Sequence, residues 1–106
     1  MIRACTVDEL PPGESVRIPG VEPIAVFHTE DGELYAIGDT CSHQDASLAD
    51  GWLEGCFVEC PLHAALFDLR TGMPSCLPAK APVPTYAVVV DEGVIYVQAA
   101  RNEDAA

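Results

Sequence analysis

Two short segments of the chain each contain a cysteine and a histidine that are separated by only one or two residues. Cys41 and His43 form a C-x-H pair, Cys60 and His63 form a C-x-x-H pair, and sixteen residues separate the two pairs. Thiolate sulfur and imidazole nitrogen are the ligands used by zinc sites, copper sites and iron–sulfur clusters. The spacing therefore predicts a metal centre built from two loops, each of which contributes one Cys and one His.

Three kinds of metal centre compete for these four ligands. A structural zinc would accept all four, but zinc fingers typically pair Cys with Cys and His with His, with the second pair on a helix. A mononuclear copper site would use a Met such as Met73, but two Cys are one too many. A [2Fe-2S] cluster fits best, because the Cys pair can hold one iron while the His pair holds the other.

The rest of the chain predicts short strands that would position these loops. Apolar runs lie at 2–7, 23–29, 33–37, 56–60, 65–69, 85–90 and 94–98. Turn residues at 30–32 and 91–93 predict two hairpins. Nine prolines and the lack of helical periodicity argue against long helices. We therefore expect an all-β domain, a small sandwich or barrel, with the Cys/His segments and the proline-rich segment 73–84 as loops.

Composition excludes several function classes. The 106 residues suffice for one domain, and five Lys and Arg against seventeen Asp and Glu give a formal charge of −12. This charge repels phosphate backbones and anionic lipid, so we expect no nucleic acid and no membrane partner. No apolar run resembles a signal core or a membrane span, which predicts a soluble cytoplasmic protein. The five cysteines are an odd number, which argues against a disulfide framework.

The two Cys/His segments resemble the Rieske signature. DTCSHQDASLADGWLEG and VECPLHAALFDLRTG are similar to the two cluster loops of Rieske ferredoxins that serve bacterial aromatic-ring-hydroxylating dioxygenases of the biphenyl, benzene and toluene type. The resemblance extends over essentially the whole chain. It implies stacked antiparallel sheets with two cluster-binding loops and a proline-rich loop, after Met73, that covers the cluster. It also implies that Cys41 and Cys60 bind the buried iron and that His43 and His63 bind the iron near the surface.

The same resemblance implies a function. It describes one Rieske domain over residues 1–106, with a frayed tail at 101–106, that acts as a monomeric one-electron carrier and not as an enzyme. Its partners would be an NADH-dependent, FAD-containing ferredoxin reductase and a terminal Rieske non-haem iron oxygenase, and it would bind no small-molecule substrate. The chain cannot itself be the oxygenase, because a catalytic two-His-one-carboxylate site needs more histidines than the remaining His28.

Two alternatives stay open. The chain could be a small Rieske subunit of a larger redox enzyme, as in nitrite-reductase-like assemblies, or a zinc-stabilised interaction module. Among the other residues, we expect Cys5, Cys56 and Cys76 to be small buried hydrophobic side chains. We expect His28 to have a surface or structural role in a strand. We expect Trp52 to pack under the first cluster loop, with a place on an electron path as the alternative.

The loops also predict a low reduction potential. Respiratory Rieske proteins carry an extra Cys in each loop, where Ala46 and Leu62 stand here, and Ser and Tyr hydroxyls that are absent from segment 64–67. Without those hydrogen bonds the extra negative charge of the reduced cluster is less stabilised. We expect a midpoint near the low end of the Rieske range of roughly −150 to +300 mV. A redox titration that gives a clearly positive midpoint would contradict this expectation.

Overall fold

The computed structural model describes residues 1–20, 22–40, 47–61, 66–74 and 82–101. Within these ranges the chain forms nine strands and two single-turn 3-10 helices, at Val7–Glu9 and Leu48–Asp50. The strands are β1 (Ile2–Thr6), β2 (Ser15–Ile18), β3 (Ile24–His28), β4 (Leu34–Gly38), β5 (Trp52–Glu54), β6 (Phe57–Glu59), β7 (Leu66–Asp68), β8 (Thr85–Asp91) and β9 (Val94–Arg101). The predicted all-β class is confirmed. No helix in the described part of the chain is long and apolar enough to cross a membrane.

The strands form two antiparallel sheets of unequal size. The larger sheet has the order β1-β9-β8-β4-β3-β2, and the smaller sheet has the order β5-β6-β7. In the larger sheet β4 pairs directly with β8, although the whole small sheet lies between them in sequence. The segment that carries both Cys/His pairs is therefore an insertion between two neighbouring strands, so the larger sheet holds it at both ends.

Side chains of β3 and β4 alternate between two hydrophobic cores, as strand geometry requires. The core between the two sheets contains the buried residues Ala25, Phe27, Ile37, Leu48, Val58, Cys60, Phe67, Leu69 and Val83. The core on the other face contains Cys5, Leu10, Ile24, Val26, Ala36, Tyr86, Ile95 and Val97. Because β3 and β4 are buried on both faces, they form a rigid base on which the small sheet rests.

The structure confirms most of the predicted strands and both predicted hairpins. β3 pairs with β4 and β8 pairs with β9, each across one of the predicted turns. The sequence prediction missed β2 and β5, which are short and contain few consecutive apolar residues. Arg101 pairs with Tyr86, so β9 extends one residue into the predicted tail, while 102–106 lie outside the described residues.

The β8–β9 turn generates a stability prediction. Glu92 (φ 53°) and Gly93 (φ 79°) form a two-residue turn, and Glu92 is the one non-glycine residue with positive φ in the described part of the chain. Glu92→Asn should raise the free energy of unfolding by about 0.5–1 kcal/mol, because Asn tolerates the left-handed region better than Glu. Urea unfolding measures this. Glu92→Gln removes the same charge without the conformational gain, so equal stability of the two variants would contradict the prediction.

Candidate metal centre

The structure places one of the four predicted ligands in the core. Cys60 follows β6 directly and is 0% exposed, among the apolar residues between the two sheets. Cys41, His43 and His63 lie outside the described residues. The described residues alone contain no group of three or more metal-binding side chains. The structure therefore describes the predicted site through the residues at which its two loops begin and end.

The ends of the first loop, segment 41–46, are held together by backbone hydrogen bonds. Thr40 and Ser47 pair as an isolated β-bridge across this segment. Next to the bridge, the Leu48 N–H donates to the Asp39 carbonyl at 2.7 Å. The Asp39 N–H in turn donates to the Pro23 carbonyl at 2.9 Å, which ties the base of the loop to the residue before β3. The loop thus leaves and returns at two fixed, adjacent points.

The Asp39 side chain reinforces the same base. It is 2% exposed, and its Oδ1 accepts hydrogen bonds from Ser47 Oγ at 2.8 Å and from the Ala49 N–H at 3.0 Å. Its Oδ2 accepts a charge-assisted bond from Arg17 Nε at 2.9 Å. A buried carboxylate is costly unless it is paired and hydrogen-bonded, and here it is both. One carboxylate therefore joins β2, the end of β4 and the return of the first loop.

The second loop is the connection of a β-hairpin. Glu59 in β6 pairs with Leu66 in β7, so the connection that starts at Cys60 is closed by a cross-strand pair. Directly below, Val58 pairs with Phe67, and both side chains are fully buried. The predicted ligands Cys60 and His63 therefore belong to one short hairpin connection on an apolar base.

A glycine brings the bases of the two loops into contact. A Cβ on Gly51, which follows the first loop's return, would lie 2.0 Å from the Glu59 carbonyl oxygen, which precedes Cys60. The φ of Gly51 is −84°, an ordinary value, so space and not conformation requires glycine here. Any larger residue would push the return of the first loop away from the start of the second.

The ends of the proline-rich segment are held in a similar way. Pro74 forms a β-bridge with Phe67, and the Val83 N–H donates to the Gly72 carbonyl at 2.9 Å. Gly72 has φ +79°, and a Cβ there would lie 2.0 Å from the Val83 carbonyl oxygen. Segment 75–81 thus begins and ends beside the hairpin that carries Cys60. Its predicted role as a cover over the cluster falls outside the described residues.

The described residues fit a [2Fe-2S] cluster. The buried Cys60 in apolar surroundings suits an iron that lies inside the protein, and the combination of Cys and His suits two unlike irons. The loops start and end on residues of the same core, among them Leu48, Phe67 and Val83. The donor atoms alone would also satisfy zinc.

Two other sequence predictions are confirmed. His28 donates from Nδ1 to the Leu10 carbonyl at 2.7 Å, which is a structural role. Cys5 is buried in the second core, and burial raises the pKa of its thiol, so it stays protonated at neutral pH. Cys56 is half-buried in the β5–β6 turn, and Cys76 lies outside the described residues.

The prediction that Trp52 packs under the first cluster loop is wrong. Trp52 is 60% exposed, so it is not packed under a loop. The reason is strand alternation: Leu53 in β5 faces the core between the sheets, which turns Trp52 outward. Because the sequence prediction did not include β5, it had no basis for assigning this face.

Sequence reasoning also missed Asp39, Arg17 and Gly51. Asp39 stands two residues before Cys41, a position that could have marked it as part of the loop base. Its partner Arg17 lies on β2, which was not predicted, and nothing in the local sequence links two residues 22 positions apart. The role of Gly51 depends on a contact between separate strands and had no sequence signal.

Comparison with known proteins identifies the family. A family model of the Rieske [2Fe-2S] domain matches residues 1–87. The 3-phenylpropionate/cinnamic acid dioxygenase ferredoxin subunit of Photorhabdus laumondii is 49% identical over 100 residues, 93% of this chain and 94% of the relative. The subunit of the same name from Escherichia coli strain K12 is 50% identical over 97 residues, 91% of each chain.

A solved structure agrees with these relatives. A chain in a complex of reduced oxygenase and oxidized ferredoxin in carbazole 1,9a-dioxygenase is 36% identical, with a TM-score of 0.90 over 97% of this chain and 96% of that one. This chain belongs to the Rieske [2Fe-2S] domain family. Its cofactor is a Rieske-type [2Fe-2S] cluster, which excludes the zinc and copper alternatives.

Asp39→Ala tests the loop base. The change leaves the Ala49 N–H and the Ser47 hydroxyl without their acceptor, which should cost about 2–4 kcal/mol of unfolding free energy. It should also reduce the iron and acid-labile sulfide retained per chain, because the first loop loses its anchor. Denaturant unfolding and metal analysis measure the two effects.

Asp39→Asn is the control. It keeps one acceptor oxygen, so its stability and iron content should lie between those of the alanine variant and the wild type. An alanine variant with unchanged stability and full iron content would contradict the role of Asp39.

Proposed function

We propose that this chain is the ferredoxin of an aromatic-ring-hydroxylating dioxygenase system, a one-electron carrier with no catalytic activity of its own. The observation that carries the proposal is the likeness to dioxygenase ferredoxin subunits at 49 to 50% identity over more than nine-tenths of both chains. The relatives' names favour a carrier over a permanent subunit of a nitrite-reductase-like enzyme. The proposal treats residues 1–106 as one Rieske domain.

We further propose that Cys41, His43, Cys60 and His63 hold the cluster. The two Cys would bind the inner iron and the two His the outer iron. The burial of Cys60 and the fixed ends of both loops support this assignment. A Rieske-type cluster, when bound, accepts and gives up single electrons. The role of the protein in electron transfer is to keep the ligand loops rigid, so that the structure rearranges little when the charge of the cluster changes.

The proposed electron donor is an NADH-dependent, FAD-containing ferredoxin reductase, and the proposed acceptor is the terminal oxygenase. A similar ferredoxin has been solved in complex with the oxygenase of carbazole 1,9a-dioxygenase, which supports the acceptor. The formal charge of −12 favours brief encounters with basic docking sites, which suits a carrier that must leave each partner quickly. We propose that the carrier acts as a monomer in the cytoplasm and that aromatic acids such as 3-phenylpropionate are the first substrates to test.

Cluster analysis of two cysteine variants tests the site assignment. The wild-type protein reduced with dithionite should give a rhombic EPR signal, with an average g value below that of all-Cys clusters. It should contain two irons and two sulfides per chain.

Cys60→Ser should lose most of its iron and colour, because the thiolate on the inner iron is gone. Cys56→Ser, four residues earlier in the β5–β6 turn, should keep both. A colourless wild type that holds one zinc, or a coloured Cys60→Ser with a full cluster, would refute the assignment.

A further inference from the structure

The small sheet has an outward face whose composition is defined by strand pairing. Trp52 pairs with Glu59, which pairs with Leu66, so these three side chains share one face. The neighbouring row Leu53, Val58 and Phe67 belongs to the core between the sheets, so the first row points away from it. The following row, Glu54, Phe57 and Asp68, again points outward. The name Trp52 face is used for Trp52, Glu54, Phe57, Glu59 and Leu66, which share this side of the small sheet with the Asp68–Arg70 ion pair.

The Trp52 face combines exposed apolar surface with negative charge. Trp52 is 60% exposed, and Phe57 and Leu66 are each half-buried. In the described part of the chain no cation pairs with Glu54 or Glu59; its ion pairs are Arg17–Asp39 and Arg70–Asp68. Exposed aromatic side chains flanked by charged residues are typical of contact sites between proteins. A matching partner surface would offer an apolar recess with Lys or Arg at its rim.

The position of the Trp52 face ties it to the cluster. Glu59 is the residue before Cys60, and Leu66 follows His63 by three positions, so the row Trp52, Glu59 and Leu66 crosses the closed end of the cluster hairpin. Neighbouring strands lie about 4.8 Å apart, so Trp52 is one strand spacing from the residue that precedes Cys60. A protein that covers this face therefore lies beside the second cluster loop, where an electron acceptor has to be.

We propose that the Trp52 face docks the oxygenase component, with Trp52 seated in an apolar recess and Glu54 and Glu59 facing basic residues at its rim. This proposal rests on the proposed function and adds to it the residues that recognise the acceptor. Trp is among the residue types that most often dominate binding energy at interfaces. The two Glu contribute mainly to the association rate and to its dependence on salt.

Anaerobic stopped-flow measurements with the holoprotein test the proposal. The reduced protein is mixed with the oxidised oxygenase of the 3-phenylpropionate dioxygenase of Escherichia coli K12, whose own ferredoxin subunit is 50% identical to this chain. Reoxidation of the ferredoxin cluster, followed at a wavelength where its spectrum differs from that of the oxygenase cluster, gives the second-order rate constant. Trp52→Ala should lower this constant about tenfold, and Trp52→Phe should restore most of it. The double change Glu54→Gln and Glu59→Gln should reduce the dependence of the rate on NaCl.

Matched controls separate docking from damage to the cluster. Val90 is 49% exposed near the far end of β8, so Val90→Ala removes a comparably exposed apolar side chain away from the cluster and should leave the rate unchanged. Cluster content and midpoint potential should be the same in all variants. Reduction of the same variants by the reductase of that system should also be unchanged.

Three results would overturn the inference. Equal rates for Trp52→Ala and the wild type, with an unchanged salt dependence in the double Glu variant, would refute the docking role alone. A loss confined to the reductase reaction would assign the face to the other partner. A wild-type protein that holds its cluster but passes no electrons to the oxygenase would contradict the proposed function itself, and the docking inference with it.

Discussion

A single buried carboxylate fixes the base of the cluster site. Asp39 is nearly inaccessible to water, so its charge has to be compensated by donors within the protein. Those donors come from three parts of the chain: Arg17 on β2, the hydroxyl of Ser47 and the backbone N–H of Ala49. They can all reach the carboxylate only if β2, the end of β4 and the turn after the first loop assume one arrangement. The stability gained from such a group is small or negative, but the number of arrangements that satisfy it is also small.

The same requirement explains why the small sheet is inserted between paired strands. A loop anchored at one end can pivot, whereas β4 and β8 hold the insertion at both ends through their own pairing. Within the insertion, the contact of Gly51 with the Glu59 carbonyl and that of Gly72 with the Val83 carbonyl leave no room for a side chain. These contacts join segments that would otherwise move independently. The rigidity that electron transfer needs therefore comes from close backbone contacts as well as from the ligands themselves.

Sequence reasoning succeeded where the signal is local. The hairpins at Asp31-Gly32 and Glu92-Gly93 were predictable because a turn residue and its flanking strands lie within about ten positions. The four predicted ligands were likewise chosen from local signals, side-chain chemistry and spacing, and their assignment stays a prediction. Asp39–Arg17 and Gly51–Glu59 were not predictable, since each contact forms only after separate strands have packed. The exposure of Trp52 was predicted wrongly for a related reason. The direction of its side chain depends on the register of β5, a three-residue strand that has no clear sequence pattern.

An exposed tryptophan in so acidic a chain reflects a balance between two opposing effects. A large apolar side chain at the surface promotes self-association, which would occupy the face that a partner needs. A charge of −12 opposes self-association, because two copies of the chain repel each other at every approach. The same charge attracts a basic partner, so it opposes self-association and favours binding to the partner.

Charge alone would attract any basic surface. The apolar contact at Trp52 adds a requirement of shape that most such surfaces do not meet. A carrier that must recognise its acceptor and still release it gains from this division, because charge governs the rate of arrival and a small apolar contact limits how long the complex lasts.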